Sequence, residues 1–242
     1  MRYYAELKDI SYLATREFFE SRGRLARPEA LETSTMYQGD DLARQRDLVE
    51  RNTVLPILKL RGDERVLDIG CGYGRWAKAL CGHIAEYVGA DFSAEFLRLA
   101  EGLSLRNSRF INLPAQELTK NSLGEERNFD IFICSGILIY LNDDDVTRLA
   151  SAIVGMATDG ARVYLREPMA LEKRLTLDRY PSSELNQKYS AIYRTAEQCR
   201  DLFGGRLVDG GFKLEIEKAL YPASLCNRKE TEQSIQLWVR TK

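Results

Sequence analysis

The sequence predicts an α/β protein, a doubly wound sheet with helices on both faces, and three observations predict it. Short apolar runs of strand length alternate with stretches of helical periodicity from residue 62 onward. The first run, Val66, Leu67 and Ile69 around Asp68, leads straight into glycines at 70, 72 and 74 and then into a helical pattern. The second, Tyr87-Val-Gly-Ala-Asp91, ends on another carboxylate, 23 residues after Asp68. A strand, a tight glycine turn and a helix start bring backbone N–H groups toward a polar or anionic ligand, because a side chain in the turn would hold the backbone away from it.

Composition narrows the class. The chain of 242 residues suits one α/β domain with an attached cap, or two small domains. A formal charge of −1 gives no general attraction to nucleic acid or to an anionic membrane, so neither is expected as a partner. The five cysteines (71, 81, 134, 199 and 226) are odd in number and lack paired metal spacing, which reads as reduced thiols in a cytoplasmic protein with no metal. The first residues carry no apolar signal core, and no run approaches membrane-spanning length.

Residues 1–60 are expected to form an N-terminal helical cap, and residues 61–242 the main domain. Tyr4, Leu7, Ile10, Leu13, Ala14, Phe18 and Phe19 follow helical spacing, predicting a helix from about Tyr4 to about Ser21. An arginine-rich connector with Pro28 follows, then a helix over 41–60 that Pro56 kinks or interrupts. These helices either cover one edge of the sheet or lid the site. After the glycine turn, Trp76, Ala77, Leu80 and Cys81 mark a buried helix face that Gly82 ends. Ser93 is an N-cap for the helix carrying Phe96, Leu97, Ala100 and Leu103. Strands are predicted over 109–113 and 129–134. Asn142 caps a helix opened by three aspartates, which the macrodipole favours there. A strand over 161–167 stops at Pro168, and an insertion at about 169–194 precedes a helix with a Thr195/Gln198 capping box. Alternation at 212–216 and 235–239 gives two closing strands.

The glycine spacing differs from a dinucleotide fingerprint: the third glycine, Gly74, comes one residue early and Arg75 stands in its place. Asp-x-Gly-x-Gly-x-Gly after a strand resembles the first motif of the class I S-adenosylmethionine-dependent methyltransferases. Phe129-Asp130 followed by an apolar strand and a small residue resembles the family's fourth motif. The resemblance covers residues 62 to 240. It implies the family's Rossmann-like, mostly parallel seven-stranded sheet, S-adenosyl-L-methionine as cofactor and S-adenosyl-L-homocysteine as product. It places Asp68, Gly70, Cys71, Gly72 and Gly74 at the amino-acid tail, with the loop amides gripping it, and Asp91 and Phe92 at the ribose. Ala115 and Gln116 stand where the family usually offers an acid to the adenine. Cys134 and Ser135 would lie beside the transferred methyl, and under the lid reading Tyr37 and Arg46 lie near the methionine end.

The only histidine, His83, falls in a turn at the amino edge of the sheet, away from the expected site, and is not expected to be a catalytic base. Two routes remain. Glu167, Asp143 or a tyrosine such as Tyr140 takes a proton from the acceptor, or the acceptor oxygen is already anionic and needs no base. Arg166 and the arginines and tyrosines of the insertion (Arg174, Arg179, Tyr180, Tyr189, Tyr193, Arg194) favour the second route, since arginine forks match oxyanions. The expected function is O-methylation of a small, phosphorylated or carboxylated metabolite such as a sugar or natural-product intermediate. The alternatives are methylation of a neutral hydroxyl or amine with a carboxylate or tyrosine base, and a non-catalytic cofactor-binding partner subunit. A nucleic-acid methyltransferase lacks support, with no basic arm and no base-flipping motif. A dehydrogenase is disfavoured by Arg75 and by the absence of a histidine in place.

Overall fold

The structure, a computed structural model, describes residues 1–26, 40–182 and 187–241. Strand β2 (Arg65–Ile69), β3 (Glu86–Asp91), β4 (Ser108–Asn112), β5 (Phe129–Ser135), β6 (Ala157–Ala170), β9 (Phe212–Ala219) and β10 (Thr231–Arg240) form one sheet in the order β4-β3-β2-β5-β6-β10-β9. All neighbours pair in parallel except β10, which runs antiparallel to both β6 and β9. Strands β2 and β5 are buried on both faces, as their near-continuous apolar runs require of central parallel strands.

Alternate residues of these strands feed two cores. Leu67, Ile69 and Phe132 face α5 (Asp143–Met156), whose Val146, Leu149, Ala150 and Ile153 are buried in one stripe. Val66, Ile131, Ile133 and Tyr164 face the other way, toward α2 (Asp40–Leu58) and α3 (Arg75–Leu80), where Val54, Leu58, Trp76 and Leu80 meet them. Each such aliphatic side chain contributes about 1.5–3 kcal/mol by leaving water. Helix α4 (Ala94–Glu101) starts at Ser93, whose hydroxyl accepts from the Phe96 amide, the cap expected from the sequence.

A second, three-stranded sheet is built from β1 (Arg2–Tyr4), β7 (Leu175–Ser182) and β8 (Gln187–Tyr193), in the order β1-β7-β8 and antiparallel throughout. The insertion is therefore a hairpin that recruits the first residues of the chain as a third strand. This revises the expected start of the first helix. Helix α1 spans Tyr12–Arg24, because Arg2–Tyr4 find ladder partners on β7 that lie more than 170 residues away.

Three further expectations change. Helix α2 runs through Pro56 and ends at Leu58. Strand β6 runs through Pro168 to Ala170, beyond its last pair with β5 at Arg166; there Pro168 pairs with β10 alone, while Ala170 also bridges Thr195. Proline is tolerated in a sheet at such an edge. The helix after Thr195 has its capping box, yet only Ala196–Cys199 is α-helical (α6). A π-helical stretch, Arg200–Gly204, joins it to α7 (Gly205–Asp209), and a Cβ on Gly204 would meet the Trp238 ring at 2.6 Å. Among the described residues no helix is long and apolar enough to cross a membrane, and no cluster of His, Cys, Asp and Glu is arranged to hold a metal.

Candidate active site

The strand order reverses between β2 and β5, and the clefts of α/β sheets open at the carboxyl ends of strands on either side of such a reversal. A cavity of about 570 Å³ lies there, walled by the glycine turn, α2, the small sheet and the segment before β10. A second cavity of about 250 Å³ adjoins it, sharing Phe92, Ile137 and Tyr140.

The glycine turn builds one wall. Gly70, Gly72 and Gly74 all have positive φ. A Cβ on Gly70 would strike Ile137 at 2.8 Å, whereas one on Gly72 would meet no atom within 4 Å. Gly70 is therefore needed for packing, and Gly72 keeps bare backbone against the cavity. The amides of Gly70 and Cys71 donate to Ala90 O, that of Gly72 to Asp91 Oδ2 and that of Gly74 to Cys71 O. The expected grip by the amides at 70–74 is corrected for four of them, which are spent on holding the turn.

Asp91 ends β3 beneath this turn. Its carboxylate accepts from Gly72 N at 2.9 Å and Ser93 N at 2.8 Å and lines the cavity, and burial pushes its pKa up to about 6. Asp68, also in the wall, accepts from the Tyr87 hydroxyl and is pushed up to about 7, again by burial. Ala115 and Gln116 line the second cavity opposite Tyr12, Thr15 and Arg16 of α1. Helix α1 thus covers the side of the site assigned to the adenine.

A buried charge node floors the cavity. Glu50 of α2, 2% exposed, pairs with Arg75 at 3.0 Å and Arg166 at 3.4 Å, and accepts from Tyr164 at 2.8 Å and Ser135 at 3.1 Å. Burial opposes its charge, but the two guanidiniums and the tyrosine prevail and hold it near 2. Arg75 also pairs with Asp47 at 2.9 Å and donates to Ser135 Oγ at 3.2 Å. Arg46, the expected methionine-end residue, lines the cavity with its guanidinium on Leu225 O and Asn227 Oδ1. Tyr37 lies outside the described residues.

The candidate acceptor residues divide. Arg166, Tyr180, Tyr189, Tyr193 and Tyr140 line the cavity. The Tyr140 and Tyr189 hydroxyls are 2.9 Å apart, and Tyr193 donates to Tyr189 at 3.5 Å. Phe19 of α1 meets the Tyr140 ring edge-on at 4.8 Å. The rest are corrected. Arg174 and Arg194 are buried on Asp143, with Arg194 also donating to Leu138 O and Leu141 O. Asp143, held below the usual carboxylate range by those arginines against the opposing effect of burial, is an anchor rather than a base. Arg179 is exposed and does not line the cavity. Glu167 is buried, its carboxylate receiving the amides of Ile137, Leu138 and Ile139, and is no base for the cavity. Cys134 is fully buried and absent from the wall that Ser135 joins. Asn142 begins α5 without capping it, because its side chain bonds both backbone groups of Ile10.

Sequence reasoning missed Glu50, Arg2 and Phe19 as parts of the wall, whereas the long join between the closing strands, with Pro222 and Asn227, is expected from the sequence as a possible cleft wall and lines the cavity at 227–229. Glu50 left a trace. Ala43, Arg46, Glu50, Val54 and Leu58 form one buried stripe of α2, and two charges on a buried stripe point to partners across it. The other two had no local signature.

Residues 66–160 match the family model described as a methyltransferase domain. A stretch of 129 residues is 29% identical to phosphoethanolamine N-methyltransferase 1 of Triticum aestivum, covering 53% of this chain and 26% of that protein. Another of 110 residues is 28% identical to ubiquinone biosynthesis O-methyltransferase of Coxiella burnetii, covering 44% of each. The matched stretch spans about a quarter of the wheat relative's length and under half of the Coxiella relative's. The fold resembles Haemonchus contortus phosphoethanolamine N-methyltransferase 1, solved with phosphoethanolamine and S-adenosylhomocysteine. The TM-score is 0.67 at 16% identity, over 96% of this chain and 50% of that one, which bears on the fold alone.

Proposed function

We propose that this chain, whose residues 66–160 match a methyltransferase domain, is a class I S-adenosylmethionine-dependent methyltransferase that transfers the cofactor's methyl group to an oxygen of a small acceptor carrying an anionic group. The observation that carries the reading is one cavity whose wall holds two chemically distinct sets of groups. One set is the bare backbone of Gly72 and the buried carboxylate of Asp91; the other is Arg166 and the side chains of Tyr140, Tyr180, Tyr189 and Tyr193.

The residues present fit the cofactor. Gly72 leaves open space where any other residue would place a Cβ, and each Asp91 oxygen uses one backbone amide and keeps a lone pair for a ribose hydroxyl. Ala115 and Gln116 would border the adenine, and Arg46, Asp68, Arg75 and Ser135 the amino-acid tail. When bound, the cofactor supplies a methyl on a sulfonium, an electrophile that needs no further activation. The chain's own task is to hold the acceptor in line and to exclude water, which is where proximity catalysis gains most.

Deprotonation has few agents here. Tyr189 is held well above the usual tyrosine range by burial, Glu50 is fixed as an anion by two arginines, and His83 is exposed at the far edge of the sheet. An acceptor oxygen that is already anionic meets this site without needing a base. A second reading rests on the aromatic wall: Phe19, Tyr140 and Tyr189 suit a cationic amine, which aromatic faces attract. A phosphorylated amine such as the phosphoethanolamine named for two relatives would suit both Arg166 and the aromatic faces. A turnover screen of the pure protein tests both, using carboxylates, phosphate esters, phosphorylated amines and neutral amines and phenols. Turnover confined to anionic acceptors is expected, with product analysis assigning oxygen or nitrogen. Methylation of neutral amines or phenols alone would contradict the proposal.

A further inference from the structure

The turn at 136–141 carries Ile139 and Tyr140 into the cavity, and it is gripped on both of its polar sides. Gly136, with φ +75, enters it from β5. The amides of Ile137, Leu138 and Ile139 donate to the Glu167 carboxylate at 2.7, 2.8 and 3.4 Å. The carbonyls of Leu138 and Leu141 accept from Arg194 at 2.8 and 2.7 Å. Both side chains are nearly sequestered, Glu167 3% exposed and Arg194 4%. A buried carboxylate and a buried guanidinium that do not pair with one another are costly unless other groups satisfy them. Here the backbone of a single turn serves both, with Asp143 completing the coordination of Arg194 at 2.6 Å.

Arg194 also follows directly on β8, the strand that carries Tyr189 and Tyr193, and Arg174, on the same Asp143, precedes β7. Both ends of the hairpin are thereby bolted to the start of α5 and to the turn. The Tyr140–Tyr189 hydroxyl contact spans these two bodies, so its geometry depends on the bolts. From this geometry we infer that Arg194 and Glu167 are positioning residues for Tyr140: by fixing the turn from opposite sides they set the hydroxyl that faces the acceptor. The inference rests on the acceptor groups assigned above. Lysine cannot replace Arg194, since one ammonium cannot serve two carbonyls and a carboxylate in the planar fork that Arg194 uses.

The test combines R194K and E167Q with Y140F in the full chain. R194K is expected to lower kcat by about tenfold or more while leaving calorimetric cofactor affinity within about twofold. In the Y140F background it should cost no more than about twofold further, the non-additivity of residues that act as a unit. E167Q should speed amide exchange at 137–139 by about tenfold relative to the amides of β2, as expected for loss of local protection. Equal losses in both backgrounds, a matching loss of cofactor affinity, or unchanged exchange at 137–139 would overturn the inference. If no acceptor is ever turned over, the proposed function fails. The exchange measurement then still decides whether the clamp exists, and E167Q serves where R194K does not fold.

Discussion

At the scale of single residues, Asp91 makes the sharpest demand. Its pKa is raised to about 6 by burial, and the ionised form is the one that accepts ribose hydroxyls. Affinity for S-adenosylhomocysteine is therefore expected to rise with pH up to about 6 and level off above it. Below that value it should weaken by up to about tenfold per unit, the limit for a single proton. Asp91→Asn should weaken binding and remove that step, read by calorimetry at a series of pH values. Linkage has the opposite sign for the free chain. A carboxyl whose folded pKa lies above its unfolded one stabilises the fold at low pH, and that contribution is lost as pH rises from about 4 to about 6. Asp91 was legible in the sequence because a carboxylate at a strand's end, 23 residues after another, is a local pattern. Glu167 was legible only as a charge. Its true partners are three amides some 30 residues away that belong to a turn with no distinctive composition.

Among the elements, the glycine turn and α2 make contrasting predictions. Gly70→Ala meets both a left-handed φ and the Ile137 side chain, while Gly72→Ala meets the φ alone. Each should lose about 1–2 kcal/mol from the backbone, with Gly70→Ala losing more in thermal unfolding. Gly72→Ala should show its larger effect in cofactor binding, because its methyl enters the cavity. Helix α2 is held to the sheet by Glu50. Glu50→Ala would strand Arg75 and Arg166 around a buried gap and is expected to cost about 3–5 kcal/mol in chemical denaturation, as when one partner of a buried pair is removed. The turn, the Ser93 cap and the Thr195 capping box were readable because each is settled within a few residues. Strand β1 was not. Its last residue, Tyr4, fits the helical spacing of Leu7 and Ile10 as well, and only the distant edge of β7 decides between them.

Taken as a whole, the molecule sets two sheets around one cavity, and the small sheet is what sequence patterns conveyed least. The arginines of the insertion looked like oxyanion ligands because their partner was unseen. Asp143 lies 31 residues before Arg174 and 51 before Arg194, and it turns both into bolts. The polar groups that the insertion gives the cavity are chiefly tyrosines, and the cavity's cations come from β1, α2, α3, β6 and the segment before β10. The individual strands of the main sheet, by contrast, follow from periodicity, and its seven-stranded, mostly parallel arrangement from the methyltransferase resemblance. The central claim is that the part of the cavity lined by Gly72 and Asp91 is a sulfonium-nucleoside site. Calorimetric titration of the full chain with S-adenosylhomocysteine and, separately, with nicotinamide adenine dinucleotide tests it most directly. Saturable one-site binding of the first and none of the second is the predicted result. A chain that ignores the first and binds the second would contradict it.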